Sequence, residues 1–186
     1  GRVAAAQGDH ESALRAYEQA AEVQVANRPS LYQAQGDTLL RLRRWAKAEE
    51  RFRAVLEIDP INASAQFGIA RSLFGRGRYE EAKRANLASV GLIYQNPLAH
   101  FLLARIAFKL GDREEANQAL DRALSQNPVF PDAYLLRARL HQQAGDTEAA
   151  REARRLARAS RKRIRDAKAG VERPTDRDVE LDVILS

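Results

Sequence analysis

Apolar and small residues recur along this 186-residue chain at helical rather than strand spacing. In ASAQFGIARSLF, residues 63–74, Phe67, Ala70, Leu73 and Phe74 fall three or four positions apart or side by side, which gathers them on one helix face. The pattern breaks at a fixed interval. Gly77, Gly111 and Gly145 stand 34 residues apart, and Ala82, Ala116 and Ala150 follow them five positions later. A period of that size is the mark of stacked structural units. The segments RWAKAEERFRAVLEIDP, RGRYEEAKRANLASV, LGDREEANQALDRALSQNP and AGDTEAAREARRLA share a turn, a small residue and an amphipathic stretch. The glycines supply the turn between two helices, and small residues at Ala82 and Ala116 let those helices approach closely. Pro60, Pro97, Pro128 and Pro131 mark helix boundaries, since proline is tolerated at a helix start but not in its interior.

On these residues the chain resembles the tetratricopeptide repeat family, a helix-turn-helix unit of about 34 residues. With repeats begun at Pro29, Ala63, Pro97 and Pro131, the family's marker positions fall on Tyr32 and Tyr134, and on Gly36, Ala70, Ala104 and Ala138. They fall next on Trp45 and Tyr79, then on Ala48, Ala82, Ala116 and Ala150, and finally on Phe52, Pro60 and Pro128. The departures are local. Arg43 stands where a turn glycine is usual, Asn86 replaces an aromatic, and Arg137 and His141 occupy normally apolar positions, as suits a capping repeat with a solvated outer face.

The resemblance implies an all-α fold, a right-handed superhelical solenoid of antiparallel helix pairs over residues 1–158. It divides into a half repeat at 1–28 and repeats starting near 29, 63, 97 and 131. An extended basic capping helix is expected over 147–169, then a linker at 170–178. Gly8 aligns with the turn glycines, so the first unit begins halfway and residue 1 is expected not to be the natural start.

In the family the first helix of each repeat lines a concave groove. The register then stacks Phe67, Phe101 and Leu135 in one row, Arg71, Arg105 and Arg139 in a second, and Phe74, Phe108 and Gln142 in a third. Positions i, i+4 and i+7 share a helix face. One reading is a groove for a protein or peptide segment carrying carboxylates, because arginine makes bidentate charge-assisted bonds to carboxylate while phenylalanine anchors apolar groups. The other has the phenylalanines packing between neighbouring helices with the arginines lying over them, heads in water. Both stand open on the sequence. Lys109 and Arg41 add positive charge nearby.

Composition narrows the function classes. A hydrophobic content of 45% beside 30% charge excludes disorder. The net charge of +6 is not spread evenly: residues 151–168 hold nine basic and two acidic side chains, and the remainder of the chain is near neutral. Ala149, Ala153, Leu156, Ala157, Ser160, Ile164 and Ala167 form a thin apolar stripe on that segment, so it reads as a solvated capping helix. Nucleic acid is not an expected partner, since the segment lacks stacking aromatics and a recognition motif.

No apolar run approaches the roughly 18 residues of a spanning helix, and the first residues lack the core of a signal peptide, so no membrane partner and a cytoplasmic setting are expected. With no cysteine, there is neither a disulfide framework nor a thiolate site. His10, His100 and His141 have no ligand spacing, and GRGR at 75–78 lacks the lysine and hydroxyl of a phosphate loop. No cofactor, metal or catalytic set is therefore expected. The segment reads as a non-enzymatic scaffold whose oligomeric state the sequence leaves open.

The ending VELDVILS differs in kind. Val179, Leu181 and Val183 alternate and Ile184 and Leu185 follow, which reads as the strand-like start, over 179–186, of another domain. It resembles the first strand of P-loop sulfotransferase-like domains in bacterial proteins that join such domains to tetratricopeptide repeats. The alternative reading of the chain is thus the accessory region of a larger enzyme of that type. GLIYQNPLAHFLLARIAFKLGD is also similar to the repeats of bacterial proteins that carry an alkaline-phosphatase-like phosphodiesterase.

Overall fold

Helix starts follow from capping chemistry. Asn62, Asn96, Asp112 and Asp146 each accept a hydrogen bond from the backbone N–H three residues on, at 2.9–3.1 Å, satisfying a donor that the first turn leaves unpaired. Asp9 does the same for Ser12 N at 3.0 Å, and a bond from the Ser12 side chain, helped by this backbone one, holds its carboxyl below the usual value. Turns follow from backbone freedom. Gly8, Gly77, Gly111 and Gly145 adopt φ between 76° and 84°, a left-handed conformation that costs glycine nothing.

The computed structural model describes residues 1–23 and 28–169. The expected linker at 170–178 and strand-like segment at 179–186, with the accessory-region reading built on the latter, lie outside the described residues. Among the described residues the fold is all-α, with ten helices. They are α1 Arg2–Ala6, α2 His10–Val23, α3 Pro29–Arg41, α4 Trp45–Ile58, α5 Ala63–Gly75, α6 Tyr79–Leu92, α7 Pro97–Leu110, α8 Arg113–Gln126, α9 Pro131–Gln143 and α10 Thr147–Lys168. Pro29, Pro97 and Pro131 open their helices. The chain forms two compact units, one over residues 1–123 and one beginning at Leu124.

In the first unit each helix from α1 to α6 packs on its successor, and α3, α5 and α7 also meet as next-but-one neighbours. The helices α5 and α6 run antiparallel, because the end of the second meets the start of the first. The Ser89 hydroxyl near the end of α6 donates to the carbonyl of Ala63 at the start of α5, at 2.9 Å. Asn86 Nδ2 donates to the carbonyl of Ala99 on α7, also at 2.9 Å. Asn86, which replaces a family aromatic, therefore exchanges apolar packing for a buried bond that ties two repeats together.

The core of this unit gathers Leu39, Leu40, Phe52, Val55, Ile69, Leu73, Leu102 and Ile106 around Ala48, Ala65, Ala70 and Ala82. Trp45 and Tyr79, the first residues of α4 and α6, pack against it. Each fully buried large side chain contributes roughly 1.5–3 kcal/mol.

Glu49 is the one carboxylate sunk into this unit's interior among the described residues, 1% exposed. Arg76 Nη1 donates to its Oε2 at 2.6 Å, Arg78 Nη1 stands 3.9 Å from Oε1, and Arg53 pairs with it one helical turn on. Arg76 and Arg78 flank the left-handed Gly77, so GRGR works as a clamp on a buried carboxylate of the preceding repeat. Arg78 also pairs with Glu81, and that hydrogen bond holds the Glu81 carboxyl below its usual range.

The second unit pairs α9 with α10. Ala133, Leu136, Ala138 and Leu140 are buried on α9, and Ala150, Ala153, Ala157 and Ser160 on α10. Arg154 donates to the Gln142 side chain, joining the two helices at 2.5 Å. Beyond Ser160, α10 continues to Lys168 with Ile164 at its surface.

Candidate functional site

Helical spacing puts Phe67, Arg71 and Phe74 on one face of α5, and Phe101, Arg105 and Phe108 on the corresponding face of α7. The phenylalanines are half-buried and the arginines exposed. Phe67 and Phe74 lean on the core with their inner edges. Their outer faces carry cations. The Arg105 guanidinium carbon lies 4.4 Å from the Phe74 ring centroid and 5.8 Å from that of Phe101, while the Arg71 carbon lies 5.7 Å from Phe67.

Arg105 therefore bridges two repeats across aromatic faces. Such stacking adds roughly 0.5–1 kcal/mol at an exposed site and orients the planar fork. Phe74 also meets Tyr79 at 5.4 Å between ring centroids. Of the residues expected on this surface, the first unit brings Phe67, Arg71, Phe74, Phe101 and Arg105 into these contacts. Phe108 lies on α7 two residues from its end. Leu135, half-buried, and Arg139, exposed, lie on α9 in the second unit.

One residue of this surface escapes the ladder described from the sequence. Asp37 of α3 precedes Arg71 by the same 34 residues that separate Arg71 from Arg105, so the row of cations opens with an acid. Its Oδ1 stands 3.7 Å from Arg71 Nη1, and Gln33 Nε2 donates to Oδ2 at 3.3 Å. Burial pushes the Asp37 carboxyl above the usual carboxylate value against the Gln33 bond and the charges of Arg71 and Arg41, and it lowers Arg71. The signal was available by counting one period back from Arg71.

The histidines serve elsewhere. His100 is fully buried, its Nε2 bonded to the Tyr94 carbonyl at 2.9 Å and its ring edge-on to the Tyr94 ring at 5.0 Å, which braces the turn before α7. Among the described residues no cluster of three or more His, Asp or Glu is placed to hold a metal ion, and no helix is long and apolar enough to cross a membrane.

Comparison with known proteins agrees with this architecture. The Tetratricopeptide repeat family matches residues 1–19 and 34–92, and the Tetratricopeptide repeat protein 21 second ARM domain matches residues 97–145. A search of curated protein sequences gave no match. Among solved structures, MamA from Desulfovibrio magneticus RS-1 superposes with a TM-score of 0.74 at 20% identity, over 87% of this chain and 90% of that one. A thermophilic tetratricopeptide protein of Thermus thermophilus gives 0.67 at 19% identity, over 95% and 90%. A chain of the Cut9–Hcn1 hetero-tetramer gives 0.76 at 18%, over 84% of this chain and 30% of that one. The repeating units at residues 1–19 and 34–92 are tetratricopeptide repeats.

Proposed function

We propose that the chain is a protein-interaction scaffold, and that the face of α5 and α7 in its first unit holds an extended partner segment bearing carboxylates and apolar side chains. The observation that supports this best is the seating of Arg105 over both Phe74 and Phe101. A guanidinium seated over aromatic rings loses less freedom when it pairs than one on a mobile stem, and its donors match a carboxylate. The half-buried rings beside it offer apolar anchorage. Leu135 and Arg139 hold the same register positions on α9, in the second unit. Among the fold neighbours, Cut9 and Hcn1 form a hetero-tetramer, so this fold serves a protein assembly there.

The test is binding of acidic peptides to the chain and to a variant carrying Arg71→Ala, Arg105→Ala and Arg139→Ala, with helix content checked by circular dichroism. Retention of carboxylate-bearing peptides by the native chain and their loss in a still-helical variant supports the groove. Equal binding by both, or preference for peptides whose acids are replaced by amides, refutes it.

A further inference from the structure

Resting on that groove reading, we propose that Asp37 is a built-in competitor for the groove's first cation, which sets the number of carboxylates a partner segment must carry. Asp37 occupies the register position that Arg71 and Arg105 occupy in the following repeats, so it stands where a ligand carboxylate moving along the row would meet the next side chain. Its carboxylate faces Arg71, the cation that a partner would need.

The pairing is built to be displaced. At 3.7 Å it is longer than a direct hydrogen bond, and both side chains keep nearly half their surface in water, 42% for Arg71 and 46% for Asp37. Glu49 in the same unit shows the locked alternative, with 1% exposure and an arginine donor at 2.6 Å. A partner carboxylate that binds Arg71 in bidentate fashion makes stronger, shorter bonds than Asp37 does. Asp37 is not idle when displaced: it is then a like charge beside the incoming group.

A segment with a single carboxylate gains little by that exchange and is discriminated against. One with two or more can engage Arg105 while a second acid evicts Asp37. Partial burial of both groups agrees with an incompletely satisfied pair, raising the Asp37 carboxyl and lowering Arg71.

The experiment uses fluorescent ten-residue peptide pools of Phe, Leu, Gly and Ser, blocked at both ends and carrying zero, one, two or four Glu. Binding is read by anisotropy for the native chain, Asp37→Asn, Arg71→Ala, the double variant and Arg105→Ala. Asparagine keeps the shape of Asp37 and its acceptor for Gln33.

The expected result is native affinity that rises steeply from one Glu to two, and an Asp37→Asn variant that tightens the single-Glu pool roughly five- to tenfold, flattening the dependence. In the Arg71→Ala background the same change has less than a twofold effect.

Unchanged or weaker single-Glu binding in Asp37→Asn, with Arg105→Ala still losing the peptides, overturns the competitor and leaves the groove reading standing. A full gain that persists without Arg71 also overturns it, because Asp37 would then repel ligands without holding the arginine. Absence of Glu-dependent binding in the native chain and in Asp37→Asn overturns the groove reading and the competitor together.

Discussion

The ring of Phe52 on α4 fills the space that a side chain would need at Gly68 on α5: a Cβ built there would lie 2.6 Å from three ring carbons. Gly36 on α3 meets the same ring, at 2.7 Å from two of them. Phe52 is fully buried, so one aromatic ring is held between the backbones of two first helices and sets how closely they stack. Replacing a helical glycine by alanine ordinarily stabilises by about 0.5–1 kcal/mol. At Gly68 the clash dominates, and Gly68→Ala is expected to cost about 2 kcal/mol net of that gain. Gly91 on α6, with nothing within 4 Å of its added Cβ, is the control, and Gly91→Ala should stabilise. Urea unfolding compares them, and Phe52→Leu should recover part of the Gly68→Ala loss.

Arg43 closes the α3–α4 turn at φ 56°, in the conformation that Gly77 and Gly111 adopt in the following turns. A side chain in that region costs roughly 1–2 kcal/mol. Arg43→Gly is therefore expected to raise unfolding stability by about 0.5–1 kcal/mol, the remainder being offset by the greater freedom of glycine in the unfolded chain. Gly111→Ala should move the other way by about 1 kcal/mol, from backbone strain alone, since no atom lies within 4 Å of the new methyl. Equal stability of the native chain and Arg43→Gly would show that contacts of the arginine at the turn offset its strain.

Glu49 should behave unlike the surface acids. Removing the carboxylate leaves Arg53, Arg76 and Arg78 converging on an empty buried site, and Glu49→Ala is expected to lose about 2–3 kcal/mol, below the range for fully buried pairs because the arginines are partly solvated. Removing one arginine costs less. Arg53→Ala should stay under about 1 kcal/mol, since Arg53 is mostly exposed and two cations remain. Thermal unfolding of the two variants settles the order, and a larger loss in Arg53→Ala would contradict it.

How far the sequence reached can be read from these residues. Ala48, Ala82, Ala116 and Ala150, found by their fixed interval, are all buried to 1% exposure or less, because a small residue where two helices touch leaves a trace in every repeat. The tetratricopeptide architecture follows from such repeated traces. Glu49 left none: its counterparts one, two and three periods on are Lys83, Asn117 and Arg151, polar residues that read as an outer face. Its burial comes from Arg76 and Arg78, which belong to the next repeat's turn. Gly68 likewise reads as a mere gap in an amphipathic helix until Phe52 is placed across from it. On the candidate surface, residue type and register were legible, whereas the seating of Arg105 on Phe74 depends on side-chain paths between repeats. Asp37 was legible by register and hidden by its sign.

Asp37 also makes a prediction for stability against pH. Its carboxyl sits above the ordinary 3.8 because burial outweighs the Gln33 bond and the charges of Arg71 and Arg41. An acid that holds its proton more tightly in the folded chain than in the unfolded one adds stability at low pH; that stability is fully present below 3.8 and is lost as the pH rises through the raised folded value. Glu81 and Glu152, whose carboxyls are lowered by arginine hydrogen bonds, act oppositely, adding stability at neutral pH that disappears on acidification. The difference between the native chain and Asp37→Asn isolates the first contribution. Asp37→Asn is expected to be the more stable protein at pH 7 and to match the native chain near pH 3, where Asp37 is protonated. Urea unfolding at the two pH values measures it. A variant less stable than the native chain at pH 7 would mean that the attraction of Arg71 for Asp37 outweighs the cost of burying the carboxylate, and the pair would then be a fixed structural bridge.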